Sequence, residues 1–151
     1  IDWQEHFVPW SFTQDPTEGV QAGSVSFGFW EGFDDFKVVW QYDQASGVYQ
    51  RQNGGSPAKD LNNDRQITAK VVIIEFLNEK GPIDELKHLL YTTSGTGKAL
   101  VFQNGQVIEA TWSKKNRTAR TVFSAKTGTA VNFSPGKVWI EVIPTGNSVD
   151  Y

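Results

Sequence analysis

Cysteine is absent from the chain, and so is methionine; histidine occurs only at His6 and His88. Without thiols there is no cysteine nucleophile, no thiolate metal site and no disulfide, and the redox compartment stays open. The two histidines are isolated and far apart, with no His-x-x-x-His pair. They read as surface or core residues rather than as metal ligands or catalytic bases. No apolar run approaches the roughly 18 residues that a membrane span needs, and no charged-then-apolar leader is visible. With no initiating Met either, the chain is expected to be an excised domain or a mature fragment. Neither sign of charge dominates: 14 basic residues stand against 17 acidic ones, a net charge of −3. That balance argues against general affinity for nucleic-acid phosphates or anionic lipid, while leaving room for a local basic patch.

Aromatic residues are what the chain has in excess, at 13% with six Trp. Tryptophan serves equally as core filler and as a stacking platform for sugars or bases. At 151 residues the chain is expected to form one domain, long enough to bury roughly 70% of the surface its unfolded form exposes.

The stretch Gly97 to Trp112 organises the rest. Two apolar runs flank Asn104-Gly105, the dipeptide best suited to a two-residue type I′ turn, so this is a hairpin. Counting back from the turn pairs Phe102 with Val107, Val101 with Ile108, Ala99 with Ala110 and Gly97 with Trp112. Alternation then collects Gly97, Ala99, Val101, Ile108, Ala110 and Trp112 on a core face. The opposite face, with Lys98, Leu100, Phe102, Val107, Glu109 and Thr111, is too mixed for bulk water and too polar for deep burial. It is expected to pack under a loop or a second sheet.

Elsewhere short strands alternate with turns. Strands are expected at Val25 to Trp30, Lys37 to Tyr42, Val48 to Gln52 and Gln66 to Leu77, and, after the hairpin, at Arg117 to Phe123, Ala130 to Phe133 and Lys137 to Ile143. The nearly continuous VVIIEF reads as a strand covered on both sides. Between Gly81 and Leu90 the spacing of Ile83, Leu86 and Leu90 predicts a short helix near 83–90, in competition with an irregular crossover. The expected fold is therefore all-β with minor α: an antiparallel β-sandwich or barrel of about eight or nine short strands. Residues 1–24 read as a linker or edge segment tied down by Trp3, Phe7, Trp10 and Phe12. Residues 25–144 read as a single β-rich domain and 145–151 as a tail expected to fray.

Most chemical motifs fail on a required position. Asp60, Asn62 and Asp64 open like a calcium loop, but Arg65 and Val71 stand where Gly and a bidentate Glu are needed, so the segment reads as a solvated turn. SGTGKAL lacks both the first glycine and the final hydroxyl of a phosphate loop. Glu31, Asp34 and Asp35 share one turn beside Trp30 and Phe33, whereas paired-carboxylate glycosidases place their acids across a cleft; a charged loop tip is expected. The cluster Lys114, Lys115, Arg117 and Arg120 either receives a carboxylate or phosphate beside Trp112 or is a solvated turn that keeps a sheet end from pairing. Asn116-Arg117-Thr118 and Asn132-Phe133-Ser134 match the glycosylation sequon, which matters only in a eukaryotic secretory setting.

Taken in order, Tyr42-Asp43, Tyr49-Gln50-Arg51, Asp60, ITAKVVII, GTGKALVFQNG, Thr111-Trp112-Ser113-Lys114 and PGKVWIEVIP resemble the carboxy-terminal domain of the YerB-like bacterial lipoproteins. The resemblance runs from about Val25 to Pro144. It implies an extracytoplasmic domain of a membrane-anchored bacterial lipoprotein, held by a lipid anchor outside this chain, with an amino-terminal neighbour and no assigned molecular function. Ala58 stands where the family usually has His, and Val71 where it usually has Asn. The resemblance thus supplies location and domain context and no catalytic residue.

Three readings follow. The first is a non-catalytic binding or scaffolding module that recognises cell-wall glycan or an envelope protein, as a monomer, with no cofactor, metal or nucleic acid. Its candidate residues are Tyr49, Arg51 and Asp60 at one strand end and Trp112 and Lys114 at another, provided the ends meet; Arg51 and Asp60 are more readily an internal ion pair that fixes the long loop. The second is an accessory domain of an envelope-polymer enzyme whose chemistry lies in the amino-terminal domain. The third is a β-rich spacer, in which Trp112 laid over Gly97 covers backbone and needs no ligand.

Overall fold

In the computed structural model, which describes residues 7–151, two sheets face each other across an aromatic core. Thirteen strand segments follow in chain order: β1 (Val20–Gln21), β2 (Ser24–Phe27), β3 (Val38–Asp43), β4 (Val48–Asn53), β5 (Ser56–Pro57), β6 (Thr68–Ala69), β7 (Val71–Leu77), β8 (Glu79–Lys80), β9 (Leu90–Tyr91), β10 (Gly95–Gln103), β11 (Gln106–Lys114), β12 (Val122–Ala125) and β13 (Val138–Pro144). The first sheet has the order β1-β11-β10-β7-β13, with β12 also on β11; the second has β2-β3-β4-β5, with β6 also on β4; β8 and β9 form a separate ribbon. The architecture is the all-β sandwich expected from the sequence, except that β13 runs parallel to β7.

The β10–β11 hairpin has the register read from the sequence, from Gln103↔Gln106 through Phe102↔Val107, Val101↔Ile108 and Ala99↔Ala110 to Gly97↔Trp112. Asn104 and Gly105 both have positive φ, 52° and 72°, the geometry of a type I′ turn. β7 lies inside its sheet, between β10 and the edge strand β13, and is buried along nearly its whole length. One of its faces contributes Val72, Ile74 and Phe76 to a cluster with Leu100, Phe102 and Val107 that the second sheet covers through Val25, Trp40 and Tyr49. The mixed face of the hairpin therefore does pack under a second sheet. The other face joins Ile73, Ala99, Val101, Ile108 and Trp112 to Phe123, Val131 and Phe133.

That second cluster is closed by the early chain. Thr13 donates its amide to the Phe133 carbonyl, the Phe133 amide returns to Ser11, and Trp10 packs against Phe123 and Phe133 with ring centroids at 5.9 and 5.5 Å. The expected anchor Trp3 and the histidine His6 lie outside the described residues. Gln103, buried at the turn end, ties this layer down: its amide nitrogen donates to the Thr17 and Asn132 carbonyls, and its oxygen accepts from the Ser134 amide. The carboxy-terminal residues do not fray, because Asp150 and Ser26 exchange two backbone hydrogen bonds and the Tyr151 ring packs edge-on to Phe102.

The helix expected near 83–90 is absent. Its place is taken by the loop of the β8–β9 ribbon, closed where the Lys87 amide donates to the Asp84 carbonyl and the His88 amide and ring nitrogen meet the Asp84 carboxylate. A two-turn helix is marginal unless its apolar side is buried, and here Ile83, Leu86 and Leu90 are all exposed.

Candidate functional site

The five residues singled out in the sequence occupy separate places. Tyr49 is fully buried on the first cluster, against the Tyr42 ring, and its hydroxyl oxygen accepts the Gly105 amide at 3.1 Å. Burial pushes its phenol pKa well up. Trp112, on β11 of the first sheet, is buried on the face turned away from Tyr49 and at the far end of the hairpin. A Cβ on Gly97 would lie 2.5 Å from the Trp112 indole nitrogen, so the ring occupies the space that the glycine leaves empty. The indole N–H donates at 3.0 Å to the carbonyl of Phe76, one residue beyond the point where β7 and β10 cease to pair. Lys114 donates to the Ala119 carbonyl and closes its own turn. Asp60 is a turn residue: its carboxylate accepts the Asn62 amide at 2.8 Å, and its backbone closes on Asp64 and Arg65. The structure thus separates Tyr49, Arg51 and Asp60 from Trp112 and Lys114.

Arg51 makes an internal ion pair, but with Glu141 and not with Asp60. Its Nε lies 3.1 Å from Glu141 Oε1, and the side chains are only 14% and 7% exposed. The same oxygen accepts the Trp40 indole N–H at 3.1 Å, and the guanidinium sits over both the Trp40 and Trp139 rings, 5.9 and 5.7 Å from their centroids. The pair joins the two sheets, since Arg51 is on β4 and Glu141 on β13. It has donors and acceptors engaged and behaves as an inter-sheet clasp. Sequence reasoning missed Glu141, although alternation along KVWIEVIP places it between Trp139 and Ile143 on a buried face.

The basic cluster does not converge on an anion site either. Lys114 is held by the carbonyl of its turn, and the Arg120 guanidinium carbon stacks 3.6 Å from the Trp10 ring centroid. The Asn116 side-chain oxygen accepts the Thr118 and Ala119 amides and shapes the turn.

Several loops meet at one end of the sandwich, the end opposite the Asn104-Gly105 turn. The path is continuous: the Thr145 amide donates to Leu77, the Thr92 amide to Asn78, and the Asn147 side chain to the Gly28 and Phe29 carbonyls. These bonds bring together the β2–β3 loop, the end of β7 with the β8–β9 ribbon, and the turn after β13. The β2–β3 loop carries an aromatic knob. Buried Phe27 packs edge-on to Phe29, Phe29 against Trp30, and Trp30 edge-on to Phe33 and Phe36 at 6.4 and 5.9 Å. Trp30, Phe33 and Phe36 are 51%, 57% and 49% exposed. A single 3-10 turn, Asp34–Phe36, shapes the loop, and the Gly54 amide braces it by donating to the Lys37 carbonyl. Glu31, Asp34 and Asp35 stand exposed in the same loop, the charged tip expected from the sequence.

At the same end, a cavity of about 150 Å³ is lined by Asn78, Thr92, Ser94, Thr96, Trp112 and Thr145. A larger, open groove of about 510 Å³ lies along the β1–β11–β12 edge at Val20, Val107, Ile108 and Tyr151, where Lys126 and Glu109 pair with each other. Among the described residues no three His, Asp or Glu side chains gather as a metal site would need. Among the described residues no helix is long and apolar enough to cross a membrane.

Residues 29–140 match the family described as "Protein of unknown function (DUF3048) C-terminal domain". The chain belongs to this family. It is 28% identical over 107 residues to YerB of Bacillus subtilis (strain 168), which is named as a candidate lipoprotein; the match covers 71% of this chain and 31% of that protein. The crystal structure of the Bacillus subtilis YerB protein superposes with a TM-score of 0.75 at 25% identity, over 95% of this chain and 47% of the YerB chain. The chain therefore spans about a third of YerB and about half of its solved chain. As a member of this DUF3048 carboxy-terminal family it is a lipoprotein-like domain that shares the YerB fold, as the resemblance in sequence implies.

Proposed function

We propose that this is a non-catalytic, extracytoplasmic binding or scaffolding domain of a bacterial envelope lipoprotein, and that it makes contact through the loop end. The lipid anchor lies outside this chain, and the domain works as a monomer without cofactor or metal. One observation carries the reading: three large aromatic side chains stand about half exposed on a braced loop. Together they offer on the order of 300 Å² of ring surface to solvent, the size of patch that on a monomer is often functional. Such aromatic anchors, ringed by polar groups, are the usual energetic centres of interfaces.

Tyr49, Arg51 and Trp112 are engaged inside the fold, and the exposed rings of the β2–β3 loop favour the loop end as the contact surface. The hydroxyl-lined cavity favours a second version of the same reading, in which a neutral, polyhydroxylated wall fragment is held beside Trp112. Intrinsic fluorescence distinguishes the two. The domain is titrated separately with soluble peptidoglycan fragments and with solubilised envelope protein. A saturable change with envelope protein that is lost in Trp30→Ala supports the knob; one with wall fragments that is lost in Thr96→Val supports the cavity. Signals that persist in both variants, or no change with either material, contradict binding at this end.

A further inference from the structure

The knob described above has a shape and a charge that restrict what can cover it. Resting on the reading of the loop end as a contact surface, we infer that Trp30, Phe33 and Phe36 insert into an apolar pocket of a partner protein whose rim carries Lys or Arg.

The ring geometry excludes a polysaccharide chain as the occupant. Sugars stack on open ring faces, and a chain needs several such faces in one plane. Here Trp30 meets Phe33 and Phe36 at interplanar angles of 73° and 88°, so ring edges close on ring faces and the cluster projects as a compact convex body. A convex apolar body is complementary to a pocket. The charges exclude an anionic bilayer. Glu31, Asp34 and Asp35 all stand exposed within the same loop, with Lys37 as the single cation. A negatively charged leaflet would repel this tip as its rings approached. The same three carboxylates complement a cationic rim, which would steer the encounter and fix its orientation.

The loop is also built to hold this form before anything binds. Its base is pinned by the Asn147 side chain to the Gly28 and Phe29 carbonyls at 3.0 and 3.2 Å, and by the Gly54 amide to the Lys37 carbonyl at 2.9 Å. The rings continue inward through Phe29 to buried Phe27. A preformed knob lowers the ordering cost of association.

The test is photo-crosslinking in intact cells. A benzophenone amino acid replaces Phe33 in the full-length lipoprotein, and the same probe at Thr127, on an exposed turn away from the loop end, serves as control. Crosslinked material is digested with muramidase, and the crosslinked residue is mapped by mass spectrometry. The expected product is a protein adduct from Phe33 and not from Thr127, mapped to an apolar pocket bordered by Lys or Arg. Its yield should fall about tenfold in Asp34→Lys/Asp35→Lys. Both side chains are exposed, and an unchanged thermal melt shows that the variant folds. An adduct to muramidase-released glycan or to lipid, a pocket without basic residues, or a yield indifferent to charge reversal overturns the inference and leaves the binding domain standing. No adduct from Phe33, nor from a second probe at Leu86 on the neighbouring ribbon, overturns both.

Discussion

Trp112 joins packing and hydrogen bonding in one side chain. It fills the space over Gly97 and satisfies the Phe76 carbonyl where the β7–β10 ladder ends. Trp112→Ala removes both, and unfolding in urea should show a loss of about 3–5 kcal/mol. Arg51 and Glu141 should behave as a unit. Either partner removed alone leaves a buried charge stranded beside Trp40 and Trp139, costing about 3–5 kcal/mol, while Arg51→Met with Glu141→Leu should cost less than either single change. Equal and additive losses would contradict the clasp. Glu75 gives a pH signature. Burial raises its pKa above the ordinary 4.5, with Lys114 opposing in part, so the folded state holds the proton more tightly than the unfolded one. That contribution is present at low pH and is lost as the pH climbs from 4.5 through the folded-state value. Glu75→Gln should therefore match the parent near pH 4 and exceed it in stability at pH 7, as read from urea midpoints. At this scale the sequence showed Trp112 over Gly97, because period and turn fix that register. It did not show Glu141 as the partner of Arg51, because a contact between β4 and β13 depends on how two sheets stack.

Among the elements, the β10–β11 hairpin was the most legible, since Asn104-Gly105 sets turn and register locally. Gly105 has a φ of 72°, and a Cβ there would sit 2.9 Å from the Tyr42 ring. Gly105→Ala should accordingly lower stability by more than about 1 kcal/mol in a thermal or urea melt, by strain in the turn and by displacement of Tyr42 from Tyr49. The segment near 83–90 was misread for the opposite reason. Its spacing of Ile83, Leu86 and Leu90 is helical, but spacing does not supply a surface to bury them, and the pairing of β8 with β9 takes the chain back on itself. The β2–β3 loop was read correctly as a charged tip. That its rings would cluster and stay half exposed was not legible, because Phe33 and Phe36 reach Trp30 only through the 3-10 turn at Asp34–Phe36.

For the whole molecule, the topology separates what is structural from what is accessible. Tyr49, which reaches Gly105 from β4, and Trp112 are buried against opposite ends and opposite faces of a hairpin roughly 30 Å long, so they do not form one site. The parallel course of β13 beside β7 brings the turn after Pro144 next to the start of the ribbon, and Asn147 then draws in the base of the aromatic loop. The loop end is a product of that arrangement, and no local stretch of sequence encodes it. Family membership and the YerB fold place the domain among lipoprotein-like proteins, and the exposed knob is the feature on which the proposed contact rests. Amide hydrogen exchange in the full-length protein, compared in native envelope membranes and after solubilisation, tests the proposed contact surface most directly. If the loop end is the contact surface, amides of residues 29–37 and of the ribbon loop at 81–89 are protected in the membranes and lose that protection on solubilisation, while the Asn104-Gly105 end exchanges alike in both. Equal exchange at 29–37 in the two states, or protection confined to the Asn104-Gly105 end, would contradict it.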